Sequence, residues 1–217
     1  MVSHGGVTFL SVYTAAFTNS TGWTNIKCGP NCGGRPLWHP PLNVPPEFEL
    51  PPTENVRIFH SFYNKGREIG GKNIKGSAFV FDAVEKLKAQ GHKVEYMYIT
   101  DTPSRYMRYY QAQADIVVDQ LIYGWWGSNL VEASALGKPV VCYLRPAWKE
   151  FFLKTFPEYK ELPVIEANTA NIYEVLEKLV VDHQYRLQMG NKSRQFAEDH
   201  FDPKKNALAL TQLLLKL

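Results

Sequence analysis

The chain has 217 residues, 45% of them hydrophobic and 21% charged, the balance of an ordinary globular protein. A formal net charge of +3 is too slight to argue for nucleic acid or an anionic membrane, and no apolar run approaches the ~20 residues of a transmembrane helix. The length allows one α/β domain with an appendage, and the start Met1-Val2-Ser3-His4 lacks the basic and apolar regions of a secretory leader.

Residues 1 to 55 read differently from the rest. Eight of the 14 prolines lie between Pro30 and Pro52, interleaved with Gly29, Gly33 and Gly34. The segment is expected to be irregular, partly extended and laid over the folded domain. Val7 to Ala16 fits a strand or a helix, and Trp23 and Trp38 are surface anchors rather than ligands. Cys28 and Cys32 could pair or bind a metal, but there is no second ligand pair, and no metal is expected. An odd count of three cysteines, with Cys142 in a core strand, suggests a reducing, cytosolic setting.

Val56 to Ser61 is the first strand. The loop that follows, to Gly76, carries four glycines and four basic residues (Lys65, Arg67, Lys72, Lys75) against the single acid Glu68. A basic, glycine-rich strand-to-helix loop suits phosphate, because cations and close backbone approach coincide. It is not a P-loop, whose spacing is absent, and a solvated surface loop is the alternative. Ser77 to Gln90 has apolar residues at helical spacing and ends at Gly91. Lys93 to Ile99 alternates as a strand. Pro103 is placed at the first position of a helix running from Arg105 to Gln113. Its Tyr106, Met107, Tyr109 and Tyr110 make an aromatic stripe, expected in core or interface.

Asp115 to Val118 is a short β-branched strand of the kind a parallel sheet buries on both faces. Gly124 and Gly127 allow a sharp turn and a close ligand, and Ser128 and Asn129 begin a helix that ends at Gly137. Val140 to Leu144 resumes the sheet. A helix N-terminus facing the carboxyl end of a strand is an anion site. Glu132 could equally be an exposed helix residue. Arg145 to Phe156 is a segment rich in aromatics, and Leu162 to Ile165 is a last, edge strand. Helices follow from Asn171 to about Val181 and from about Gln184 to Asp199. Lys204 to Leu217 is a terminal helix whose leucines offer a dimer contact. Strands and helices in alternation give an α/β class, a Rossmann-like doubly wound parallel sheet.

The order Gly124-x-x-Gly127-(x)4-Glu132-Ala133-x-Ala135-Leu136-Gly137-Lys138-Pro139-Val140 resembles the donor-site signature of retaining glycosyltransferases with the GT-B fold, of the glycosyltransferase family 4 type. The resemblance covers roughly residues 56 to 217, about three quarters of the chain. It implies a C-terminal donor-binding domain over 56–217, with 1–55 as an arm or linker and a remnant of the N-terminal acceptor domain. In the family two glutamates flank seven residues, and the second binds the ribose, which falls on Glu132; the first falls on Gly124 and is missing. Amides of the glycine turn and helix start hold the donor diphosphate, mapping to Gly127, Ser128 and Asn129. Lys75-Gly76-Ser77 matches the family's Lys-Gly-[Thr/Ser], which puts Lys75 on the diphosphate, with Arg67 or Lys65 in place of an arginine not clearly present. Thr100 to Pro103 falls where the family's base-binding loop lies.

The function so implied is binding of a UDP- or GDP-linked nucleotide sugar for retaining, metal-independent transfer to a saccharide or lipid-linked acceptor, as in polysaccharide biosynthesis. The nucleotide sugar is a substrate, and no cofactor is called for. No residue stands out as catalytic. The partner is a separate acceptor-domain polypeptide or, through the C-terminal helix, a second copy; a peripheral place at the inner membrane face is left open. Three alternatives stand beside it: a non-catalytic nucleotide-sugar module, a relative of nucleotide-sugar epimerases, and an interaction domain of the same fold.

Overall fold

The structure is a computed structural model and describes residues 9–10, 27–28, 41–62, 67–155, 157, 159–200 and 208. Its centre is a parallel sheet of five strands: β1 (Val56–Ser61), β2 (Val94–Ile99), β3 (Ile116–Val118), β4 (Val140–Cys142) and β5 (Ile165–Glu166). The spatial order is β2-β1-β3-β4-β5, and every neighbouring pair is parallel. The helices are α1 (Ser77–Ala89), α2 (Ser104–Ala112), α3 (Ser128–Ala135), α4 (Pro146–Thr155), α5 (Ile172–Val181) and α6 (His183–His200).

The alternation of side chains along each strand decides which helices lie on which face. Ile58, Ile116, Val118 and Val141 point one way, into a cluster with Val80, Val84 and Leu87 of α1 and Leu176 and Leu179 of α5. Phe59, Val117, Val140 and Cys142 point the other way, to Leu130 of α3, Phe152 of α4 and Phe196 of α6. Both faces of the central strands are covered, which is why β3 and β4 read as continuous apolar runs. The fold class is therefore α/β, a Rossmann-like doubly wound parallel sheet. Leu176 and Leu179 are fully buried, and each contributes about 2 kcal/mol of apolar burial.

Two expectations shift, and an unassigned segment gains an element. Pro103 lies just outside α2 as its N-cap, with extended ψ 135°, and the helix starts at Ser104. The last strand sits at Ile165–Glu166, later than its apolar letters suggested. Arg145 to Phe156 contains a helix, α4, with Pro146 at its first position, where the missing amide proton has no intrahelical partner to lose. The basic loop after β1 contains a small antiparallel hairpin, Glu68–Ile69 against Lys72–Asn73.

Residues 46–50 lie against α2. Phe48, in a short 3-10 turn, stacks on Tyr106 and Tyr109 with ring centroids 5.0 and 4.9 Å apart. Gln113 ties the same segment down: its Oε1 accepts from Leu50 N–H at 2.8 Å and its Nε2 donates to the Phe48 carbonyl at 2.9 Å. The arm thus covers the tyrosine stripe. Before residue 41 only the paired strands Phe9–Leu10 and Lys27–Cys28 are described, so Cys32, Trp23 and Trp38 lie outside the described residues. The terminal helix from Lys204 lies outside them too, apart from Leu208.

At the other end of the chain, α6 packs on α3 through a glycine. A side-chain carbon at Gly190 would overlap the carbonyl oxygen of Gly137, just past α3. Only the bare backbone fits there.

Candidate functional site

The strand order reverses between β1 and β3, and in such sheets ligands bind outside the carboxyl ends of the strands at that reversal. A cleft of about 490 Å³ opens there. Its walls come from the end of β1 (Ser61, Phe62), the basic loop (Arg67, Lys75), the loop and helix start after β2 (Ile99 to Ser104, Met107), Gln120 after β3, and the start of α3 (Gly127, Ser128, Asn129, Glu132). Of the residues singled out in sequence, Lys75, Arg67, Gly127, Ser128, Asn129 and Glu132 meet in this one cleft. Gly124 does not line it.

Glu132 is 3% exposed, so the alternative of a solvated helix residue is ruled out. Gln111 of α2 supports it, with Nε2 donating to Glu132 Oε2 at 3.2 Å and to Asn129 Oδ1 at 3.4 Å. Asn129 in turn donates through Nδ2 to Ser61 Oγ at 2.8 Å. This polar chain joins α2, α3 and β1 across the cleft floor. The amides of Ser128 and Asn129, in the first turn of α3, have no acceptor within the helix and carry its positive dipole end.

Two expected contacts are altered by Asp119, a fully buried carboxylate the sequence did not single out. Its Oδ2 accepts from Gly127 N–H at 2.6 Å, so that amide is already engaged and Ser128 and Asn129 remain for an anion. Its Oδ1 accepts from Lys75 Nζ at 2.8 Å. One of the three ammonium protons is spent there and two are left, but the pair as a whole is neutral. Arg67 stands exposed at the cleft wall. Lys65 lies outside the described residues.

Ser77 is turned away from the cleft. Asn73 Oδ1 accepts from its amide at 3.1 Å, and its Oγ lies 2.8 Å from His60 Nε2. His60 Nδ1 lies 3.0 Å from the Val118 carbonyl, which can only accept, so the proton sits on Nδ1 and Ser77 donates to Nε2. Burial, with the positive charge of Lys75 second, holds the imidazole down at about 3, against the opposing pull of Val118 and Asp119. This neutral histidine pins the start of α1 to β3 under the site. No motif announced it; its position on a buried strand was the available signal.

Gly124 has φ +93°, and a side-chain carbon there would come within 2.9 Å of Arg145 Cβ and 3.2 Å of its Nε. Arg145 N–H donates to the Gly124 carbonyl at 2.8 Å, and its guanidinium donates to the Tyr123 carbonyl at 3.2 Å. The place where the resemblance puts a first glutamate is thus a left-handed glycine closed over by Arg145. In the cleft wall, Asp101 has φ +52°, a conformation Asp tolerates better than most residues. Among the described residues no group of three or more His, Cys, Asp and Glu side chains converges.

Anabaena HepE in complex with UDP superposes with a TM-score of 0.64 over 97% of the present chain and 64% of its own, at 13% identity. A mutant of S. aureus TarM, in complex with fondaparinux, alpha-GlcNAc-glycerol and UDP, gives 0.63 over 94% and 43%, at 12% identity. HepE in complex with UDP-glucose gives 0.52 over 76% and 50%, at 14% identity. The fold is shared with GT-B glycosyltransferases. The chain spans between 43% and 64% of the length of these three structures. No protein-family model matches the sequence, and no curated protein is significantly similar to it. No helix among the described residues is long and apolar enough to cross a membrane.

Proposed function

We propose that this chain binds a nucleotide-sugar donor, UDP- or GDP-linked, as the donor-binding half of a metal-independent, retaining glycosyltransferase. The observation that carries it is the meeting of Glu132, the first turn of α3, Lys75 and Arg67 in one cleft at the strand-order reversal. Each answers a need of the chemistry. A departing nucleoside diphosphate gains negative charge, which fixed amides and cations stabilise. The amides of Ser128 and Asn129 face that charge, with two protons of Lys75 and the guanidinium of Arg67 beside them. Glu132, buried and oriented by Gln111, accepts hydrogen bonds from a pair of ribose hydroxyls. The acceptor, a saccharide or a lipid-linked sugar, is met by a further domain or a separate polypeptide.

A second reading, a nucleotide-sugar module without catalysis, is favoured by Gly124. A side chain there is strained and crowded by Arg145, so the carboxylate that the resemblance expects at that position is missing.

Calorimetric titration with UDP, GDP and their sugar conjugates tests the binding common to both readings. One nucleotide is expected to bind in the micromolar range, and Glu132→Ala is expected to weaken it by about tenfold or more. Failure of the wild-type chain to bind any of them overturns both and leaves an interaction domain. Glycosyl transfer on adding the acceptor-side polypeptide separates the first reading from the second.

A further inference from the structure

Gln120 stands two residues past β3, is 3% exposed and lines the cleft. Its backbone is held, since Tyr143 N–H donates to its carbonyl at 2.7 Å. Its side chain is not. The carboxamide oxygen is buried and has no hydrogen-bond partner, and no described residue bonds to the nitrogen. Buried polar side chains almost always find a partner, because leaving one unpaired is costly.

The groups nearby are already committed. The carboxamide packs against the turn before α3, where a side-chain carbon at Gly127 would come within 2.9 Å of Nε2. The Gly127 amide next to it donates to Asp119, and the other oxygen of Asp119 takes Lys75. The neighbouring wall of the cleft is the first turn of α3, with its two open amides. Glu132 lies one helical turn further in. A ligand with its ribose on Glu132 and its phosphates on Ser128 and Asn129 therefore brings the group beyond the phosphates to Gln120. A carboxamide offers one acceptor and one donor and turns readily about its last torsion, so either atom can face that group.

We propose that Gln120 is a specificity-determining contact whose carboxamide oxygen accepts a hydrogen bond from a hydroxyl of the sugar beyond the diphosphate. The site then separates a nucleotide sugar from the bare nucleotide. This assignment rests on the nucleotide-sugar reading above.

Titration of the full chain and of Gln120→Met with UDP, UDP-glucose, GDP and GDP-mannose tests it. The expected result is a loss about tenfold greater for the sugar conjugate than for its bare nucleotide. Equal losses on the two members of a pair, or no loss on either, overturn the assignment while the nucleotide-sugar reading stands. A wild-type chain that binds none of the four overturns that reading and Gln120 with it. Gln120→Asn draws the amide back by one methylene, and the same difference between the members of a pair decides the matter if the Met variant does not fold.

Discussion

Lys75 and Asp119 lie 44 positions apart in sequence and meet at 2.8 Å under the cleft, the carboxylate fully buried and the lysine nearly so. Neither was legible as a pair, because an ion pair of that separation exists only once β1 and β3 are neighbours. Lys75 itself was legible, as the lysine of a basic glycine-rich loop, and Glu132 as the acid of a short helix motif. Removing one partner of such a pair strands the other charge in a poorly solvated place. Lys75→Met is accordingly expected to destabilise the fold by about 3–5 kcal/mol, and adding Asp119→Asn to recover part of it. Urea unfolding of both variants checks this, and an unchanged midpoint in the single variant refutes it. At Gly124, φ +93° and the closeness of Arg145 make a side chain strained as well as crowded. Gly124→Glu, which restores the glutamate of the resemblance, is expected to lower stability by about 1–3 kcal/mol and to bring no gain in nucleotide-sugar affinity. Thermal unfolding and titration report the two parts separately.

At the scale of elements, the strands and most helices were legible because each carries a single period. The short β-branched runs are buried on both faces, and α1 and α5 repeat their apolar residues at helical spacing. The segment now known as α4 was not, since Trp148, Phe151 and Phe152 cluster without a clear polar face. The stripe on α2 was legible as a core or interface face but not its cover, which arrives from far upstream in the form of Phe48 and leaves the tyrosines half-buried. That contact makes the arm part of the helix's packing. Phe48→Ala is expected to cost about 1–2 kcal/mol through lost aromatic stacking and to expose the segment around Leu50 to protease. Limited proteolysis, compared with wild type, measures the second effect; identical cleavage patterns would show that Phe48 does not hold the arm.

The whole molecule answers to pH through His60. Its folded-state value of about 3 lies below the ordinary 6.5, so between those two the unfolded chain binds a proton that the native chain refuses. Stability from this group is complete above about pH 6.5 and is lost as the pH falls toward 3, by a few kcal/mol in all. The expected result is a marked drop in the unfolding midpoint between about pH 7 and pH 5, and a smaller drop in His60→Gln, which has no such proton to take up. Equal drops in the two proteins would assign the effect to other groups. The parallel, doubly wound class followed from the alternation of strands and helices in the chain, whereas the strand order and the cleft's inner wiring, Gln111 to Glu132 and Asn129 to Ser61, are properties of the assembled body alone. The glycine-to-backbone seat of α6 on the end of α3 offers something practical to a geneticist. Gly190→Ala puts one methyl group where a carbonyl oxygen already is, a misfit of about 1–3 kcal/mol at the opposite end of α3 from its cleft-lining first turn. Such an allele should be sound in the cold and fail on warming, giving a temperature switch for this protein in living cells with every cleft residue left as it is.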